Sequence, residues 1–148
     1  MKFFDSDHEK FYSDYVSKYC HDKEDEILRA RQASFYLLGM KKQIRENIDE
    51  ILDIQGNNIG HEGNKLTDFL NVLLAQDQAI VRLAVNLLDS SRVLDTYPIS
   101  QSDFQNIDFI KYRNNEEMYS VDYLFRNAYE ADNVEYFIEA IKLKYPIN

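Results

Sequence analysis

A chain of 148 residues, 45% apolar and 14% aromatic, carries enough hydrophobic material for one domain with its own core. Its formal charge of −9 disfavours non-specific binding to DNA or RNA, because a like-charged surface repels phosphate over a Debye length. One cysteine excludes an intramolecular disulfide, and no apolar run suits a membrane span, since "FLNVLLAQDQAIVRLAVNLL" carries Asp77 and Arg82 in its middle.

The start, "MKFFDSDHEKFY", places acid and histidine where a secretory segment needs an apolar run, so a cytoplasmic location is expected. Four glycines and two prolines are few for this length and point to helices. The expected fold is all-α, a compact single-domain bundle of about six to seven helices over residues 1–148. Within it we expect a helical core at 1–91, an irregular segment at 92–119 within an excursion near 89–119, and a C-terminal helical pair at 120–148.

The first helix is announced by a capping box, Ser6 with Glu9, before "HEKFYSDYVSKYC". Phe11, Tyr15 and Tyr19 recur at four-residue spacing beside Tyr12 and Val16, which makes one broad apolar face. Asp22, Glu24, Asp25 and Glu26 then stand at the first turn of a second helix, where carboxylates complement the positive end of the dipole. That helix should run through "ILRARQASFYLLGM" and close at Gly39 in a left-handed conformation. A third, "KKQIRENIDEILDI", is expected to end in the glycine-rich loop "QGNNIGHEGN".

The most apolar stretch, "KLTDFLNVLLAQ" followed by "DQAIVRLAVNLLDSS", reads as two central helices broken at Asp77, or as one bent there. Val72, Leu74, Val81 and Val85 widen its apolar face. Residues 89–119 lose the pattern, with a short helix expected from Ser102 and an extended "IDFIKYR". Ser120 then caps "SVDYLFRNAYEAD", and Asn133 caps a last helix stopped by Pro146.

Four chemistries come into question. His8, Cys20 and His21, with an acid such as Asp22 or Asp25, have ligand types suited to zinc but match no established spacing. Adjacent helical residues point about 100° apart, so Cys20 and His21 share an ion only where the helix has ended. The competing reading is an inert, half-buried cysteine beside a capping histidine. A Cys–His nucleophilic pair needs an imidazole at the sulfur, a third group to hold it and oxyanion donors, which sequence neighbours rarely supply. "HEGNKLTD" lacks the second histidine of a metalloprotease helix, and Gly56, Gly60 and Gly63 follow no strand pattern of a dinucleotide site. The chain is therefore read as a non-enzyme without a required cofactor. Arg82 and Asn86, at i and i+4 inside "IVRLAVNLL", form a structural polar core, with Asp49 or Asp53 as expected partners for the arginine.

"HEKFY", "SFYLLG", "IREN" and "RLAVNLL", taken in order, resemble an uncharacterised family of small helical proteins of phages and mobile elements in low-GC Gram-positive bacteria. The resemblance covers roughly residues 3–95 and implies His8, Phe11, Tyr12, Phe35, Tyr36, Gly39, Arg45, Arg82 and Asn86 as recurring positions. It brings no catalytic residues, and the loop after Gly63 departs from the pattern.

The resemblance, the small size and the acidity imply an accessory protein of the bacterial host cytoplasm that acts by stoichiometric binding. Its expected partner is a basic protein such as a nucleic-acid-binding defence effector, which it would inhibit in an anti-CRISPR or anti-restriction manner. No nucleic acid or membrane is expected to bind directly. The carboxylates of Asp22, Glu24, Asp25, Glu26, Asp103, Asp108, Glu116, Glu117, Asp122, Glu130 and Asp132 would compete with phosphates for Lys and Arg. Two alternatives stay open: a small zinc-binding protein using His8, Cys20 and His21, and a self-associating structural protein forming a homodimer.

Overall fold

A computed structural model describes residues 1–89 and 117–147, which are mainly helical as expected and carry one short hairpin. Helix α1 (Ser6–Tyr19) is capped by Asp5, whose carboxylate accepts the His8 N–H at 2.8 Å. The expected cap at Ser6 is thus displaced by one residue, which leaves Asp7 and Glu9 in the first turn, where the dipole favours them. Helix α2 (Asp25–Leu38) starts inside the acidic run, with Asp25 and Glu26 in its first turn, and closes at Gly39.

Gly39 is not left-handed. Its φ of −80° and ψ of −10° suit any residue, so the glycine is required for space. A Cβ there would lie 2.8 Å from Phe11 Cδ1 and 2.9 Å from His8 Cδ2, and its absence lets α1 press against the end of α2.

The expected third helix is broken. Helices α3 (Lys42–Arg45) and α4 (Ile48–Ile51) are separated near Asn47, whose side-chain amide donates back to the Gln43 carbonyl at 2.8 Å. The chain then enters strand β1 (Leu52–Gln55), which pairs antiparallel with β2 (Asn58–His61), Leu52 opposite His61 and Gln55 opposite Asn58. Gly56, at φ 59°, makes the turn between them, so the expected glycine loop is a hairpin. Leu52 is buried, Asp53 exposed and Ile54 half-buried, the alternation of a strand covering a core on one face.

Helices α5 (Gly63–Leu70) and α6 (Ala75–Leu88) part at residues 71–74 and not at Asp77. Asp77 instead occupies the first turn of α6, where a carboxylate is favourable. Val81 and Val85 are buried, whereas Val72 and Leu74 lie exposed in the turn. Helix α7 (Val121–Glu130) is capped by Ser120, whose hydroxyl accepts the Tyr123 N–H at 3.2 Å. Helix α8 (Val134–Lys144) ends just before Pro146. Asn133 holds its N-cap position, yet its side chain makes no cap bond, and its amide nitrogen and oxygen are buried without a partner. Asp132, at φ 62°, makes the tight α7–α8 turn.

Helix α2 is the centre of the molecule, packed against α1, α6 and α8. Its second half is buried on every side from Ala33 to Leu38, and Phe35, Tyr36, Ile80 and Phe137 are fully enclosed. Along α2, α8 runs antiparallel: Arg29 Nε donates to the Lys144 carbonyl at 3.3 Å at one end, and Tyr136 meets the His8 ring at the other. No described helix is long and apolar enough to cross a membrane. The expected helix from Ser102 and the extended "IDFIKYR" lie outside the described residues, as does most of the expected excursion.

Candidate functional site

Residue types alone made His8 a metal candidate. In the fold it is fully buried, and both ring nitrogens are taken. Nδ1 accepts the Phe4 N–H at 2.9 Å, and Nε2 bonds the Tyr36 carbonyl, which fixes the neutral Nε2–H tautomer. That carbonyl is one of the last of α2 and has no intrahelical donor, so the imidazole closes the helix end. Arg45 Nη1 caps the next stretch at the Gly39 carbonyl, 2.6 Å away, and its Nη2 lies 3.9 Å from Asp7. Burial lowers the His8 pKa below its ordinary value, against the raising effects of the Tyr36 bond and Asp5. The Tyr36 hydroxyl in turn donates to the Lys2 carbonyl, and burial raises its pKa. His8, Phe11, Tyr12, Tyr36, Gly39 and Arg45 all meet at this one contact between α1 and α2.

Cys20 lies at the opposite end of α1. Twelve residues of helix separate it from His8, about 18 Å of rise, so the expected His8–Cys20–His21 grouping cannot close on one ion. Among the described residues no three His, Cys, Asp or Glu side chains are gathered for a metal. Burial pushes the Cys20 thiol up to about 11, beyond the range in which it would be a nucleophile at neutral pH. His21 is exposed and turns back onto α1, Nε2 against the Lys18 carbonyl at 2.9 Å and Nδ1 near Asp22 at 3.2 Å. The residues that opened the catalytic and zinc readings are therefore engaged in ending helices.

The carboxylates fall into two separate groups. Asp22, Glu24, Asp25 and Glu26 are all exposed at the α1–α2 corner, where Asp22 takes φ 56° and its side chain is 90% exposed. Asp122, Glu130 and Asp132 are exposed on α7 and its following turn, and Asp122 is partly neutralised by Arg126 at 3.2 Å. Near this turn Lys2 pairs with Glu135, at the α1 start. The corner acids follow the end of α1, whereas Asp132 lies near Lys2 before its start, and Asp122 stands a further turn and more along α7, so the two sets sit on different elements. Glu117 is exposed, and Asp103, Asp108 and Glu116 lie outside the described residues.

Arg82 is buried on α6 but reaches neither Asp49 nor Asp53. Its Nη1 donates to Gln78 one turn earlier at 2.9 Å, its guanidinium lies 5.7 Å from the Tyr119 ring, and Nε is buried without a partner. Asn86 is only half-buried. The exposed aromatic side chains of Phe4, Tyr129 and Tyr145 sit on different parts of the chain.

One concavity escaped the sequence. A cleft of about 630 Å³ is enclosed by the start of α2, the hairpin, and the ends of α6 and α8. Arg31 and Lys144 line it, and both are buried. The signal for Arg31 lay in its spacing, since Arg31, Phe35 and Leu38 share one helical face in "RQASFYLL", a face that goes to the core.

These features define a helical bundle with an acidic corner and a cleft, its buried histidine committed to holding helices together. The chain belongs to the family of unknown function DUF6075, which it matches over residues 1–148. No curated protein and no solved structure matches it.

Proposed function

We propose that this protein acts by stoichiometric binding, with the carboxylates of the α1–α2 corner docking on a basic cleft of a protein partner. The observation that carries this reading is the run of four exposed acids, Asp22, Glu24, Asp25 and Glu26, at the corner between α1 and α2. Such a corner steers and orients a basic partner by complementary charge. The engagement of His8 and His21 with backbone carbonyls and the raised thiol pKa of Cys20 favour binding over turnover.

The partner class that fits is a nucleic-acid-handling enzyme whose Lys and Arg ordinarily meet phosphate. In that setting the protein is a cytoplasmic accessory of a phage or mobile element in a low-GC Gram-positive host, blocking a CRISPR or restriction effector by occupancy. The test is capture from nuclease-treated host lysate, eluted in steps of salt. A basic nucleic-acid enzyme released by salt, and lost on the combined D22N/E24Q/D25N/E26Q substitution but kept on D122N/E130Q/D132N, is the expected result. Binding that persists unchanged at high salt or in the first variant sinks the reading.

A further inference from the structure

The cleft between α2, the hairpin, α6 and α8 has the size of a small-molecule site. Ile27, Ala30, Ile59 and Leu88 give it apolar walls, and Arg31 and Lys144 are the buried charges along it. Arg31 is 4% exposed and Lys144 is 8% exposed. Charges taken this far from water are ordinarily matched by a carboxylate.

Here they are not. Arg31 donates Nη1 to the Tyr19 carbonyl at 2.6 Å and Nη2 to the Asn57 carbonyl, two neutral acceptors for a group with five N–H donors. The Lys144 ammonium stands 5.4 Å from the Tyr145 ring centre. Neither forms an ion pair among the described residues. Of the acids that share the lining, Glu26 and Asp53 are exposed, and Asp89 takes part in an interaction of its own. The buried part of the cleft is therefore cationic, and its open edge carries Glu26 and Asp53 with the half-buried Lys23.

We infer that this cleft binds a small organic anion, with a carboxylate or phosphate monoester head at Arg31 and Lys144 and an apolar body against Ile27, Ile59 and Leu88. The head supplies the charge that these two side chains lack, and the walls supply area that a bare inorganic ion cannot use. Glu26 and Asp53 at the edge repel extended polyanions, so a nucleic-acid strand is selected against while a compact head group passes. This site shares Glu26 with the acidic corner, but its head-group recognition lies at Arg31 and Lys144, which the corner's partner does not need.

Calorimetric titration of the full chain with benzoate, phenyl phosphate and inorganic phosphate tests the inference, with two-dimensional amide spectra to locate the effect. Saturable binding of benzoate or phenyl phosphate is expected, at least about tenfold tighter than inorganic phosphate, with shifts at Ile27 and Ile59. Whichever of the two organic probes binds more tightly identifies the head group. Lys144→Met should weaken it by about tenfold or more, and Lys144→Arg, which keeps the charge, should retain it. Circular dichroism of both variants establishes that they fold. No saturable binding of either organic probe, or equal affinity in the folded Lys144→Met protein, overturns the proposal.

Discussion

The two ends of α2 handle buried polarity in opposite ways. At its C-terminal end the Phe4 N–H and the Tyr36 carbonyl satisfy both nitrogens of the His8 ring, and the Arg45 guanidinium satisfies the Gly39 carbonyl beside it. Towards its N-terminal end Arg31, with Lys144 beside it, is buried next to open space, and neither forms an ion pair among the described residues. A saturated polar contact holds a fold together, because breaking any member strands the others. An unsaturated one adds little to the fold and leaves free energy to be gained from a ligand. The contrast assigns structure to one end and recognition to the other, and both assignments can be broken.

The largest effect should come from His8→Phe. The aromatic replacement keeps the ring's contacts with Phe3 and Tyr36 but removes both hydrogen bonds, so the Tyr36 carbonyl loses its only cap. A loss of about 2–4 kcal/mol is expected from chemical denaturation, chiefly the desolvation of stranded backbone groups. A loss near zero would mean that the contact holds by packing alone.

Gly39→Ala comes next. The backbone there is helical, so strain in φ contributes nothing, and the added methyl acts only by displacing Phe11 and His8. Phe11 is half-buried and can swing, whereas His8 is held by two hydrogen bonds, and about 1–3 kcal/mol should be lost. Differential scanning calorimetry would register this as a fall of several degrees. An unchanged Tm would show that α1 can ride off α2, and that the closed end is looser than its hydrogen bonds indicate.

Acid should act on the same end. With its pKa lowered by burial, His8 is neutral in the fold at pH values where the unfolded chain's histidine already binds a proton. The unfolded state therefore gains protons first, and stability falls as pH drops from the ordinary value of 6.5 towards the depressed folded one. Below the folded value this contribution levels off. Comparing urea midpoints across this window, wild type should show a slope that His8→Phe lacks, and parallel profiles would remove His8 as the cause.

How much of this was legible depends on how local each signal is. The start of α2 in the acidic run, the Ser120 cap of α7 and the stop before Pro146 are set by neighbours within a turn, and sequence reasoning finds them. The hairpin was missed because Leu52–Gln55 and Asn58–His61 are four residues each, too short for a period of two to stand out against a helical pattern upstream. Gly39 was placed correctly at a helix end and given the wrong reason, since the crowding comes from α1, 28 residues away at the His8–Tyr36 bond. The zinc reading failed on distance: His8 and Cys20 are near in sequence but a helix length apart. The cleft was invisible for the same reason in reverse, its two ends tied by the Arg29–Lys144 bond across 115 residues.

The smallest effect is the one that bears hardest on the contrast. If Lys144 is an unmatched cation, then Lys144→Met removes a charge that gains little from the fold and replaces its stem with an apolar chain of similar length. Removing a paired buried charge ordinarily costs about 3–5 kcal/mol, because the partner is stranded; removing an unmatched one strands nothing. Stability should therefore stay within about 1 kcal/mol of wild type or rise, read from urea midpoints in buffer free of organic anions. Adding benzoate or phenyl phosphate should then stabilise wild type and leave the variant unmoved, since only a protein that binds the anion is held folded by it. A large loss without any ligand would mean that Lys144 already has a partner, and the N-terminal end of α2 would join the C-terminal end as a closed structural contact.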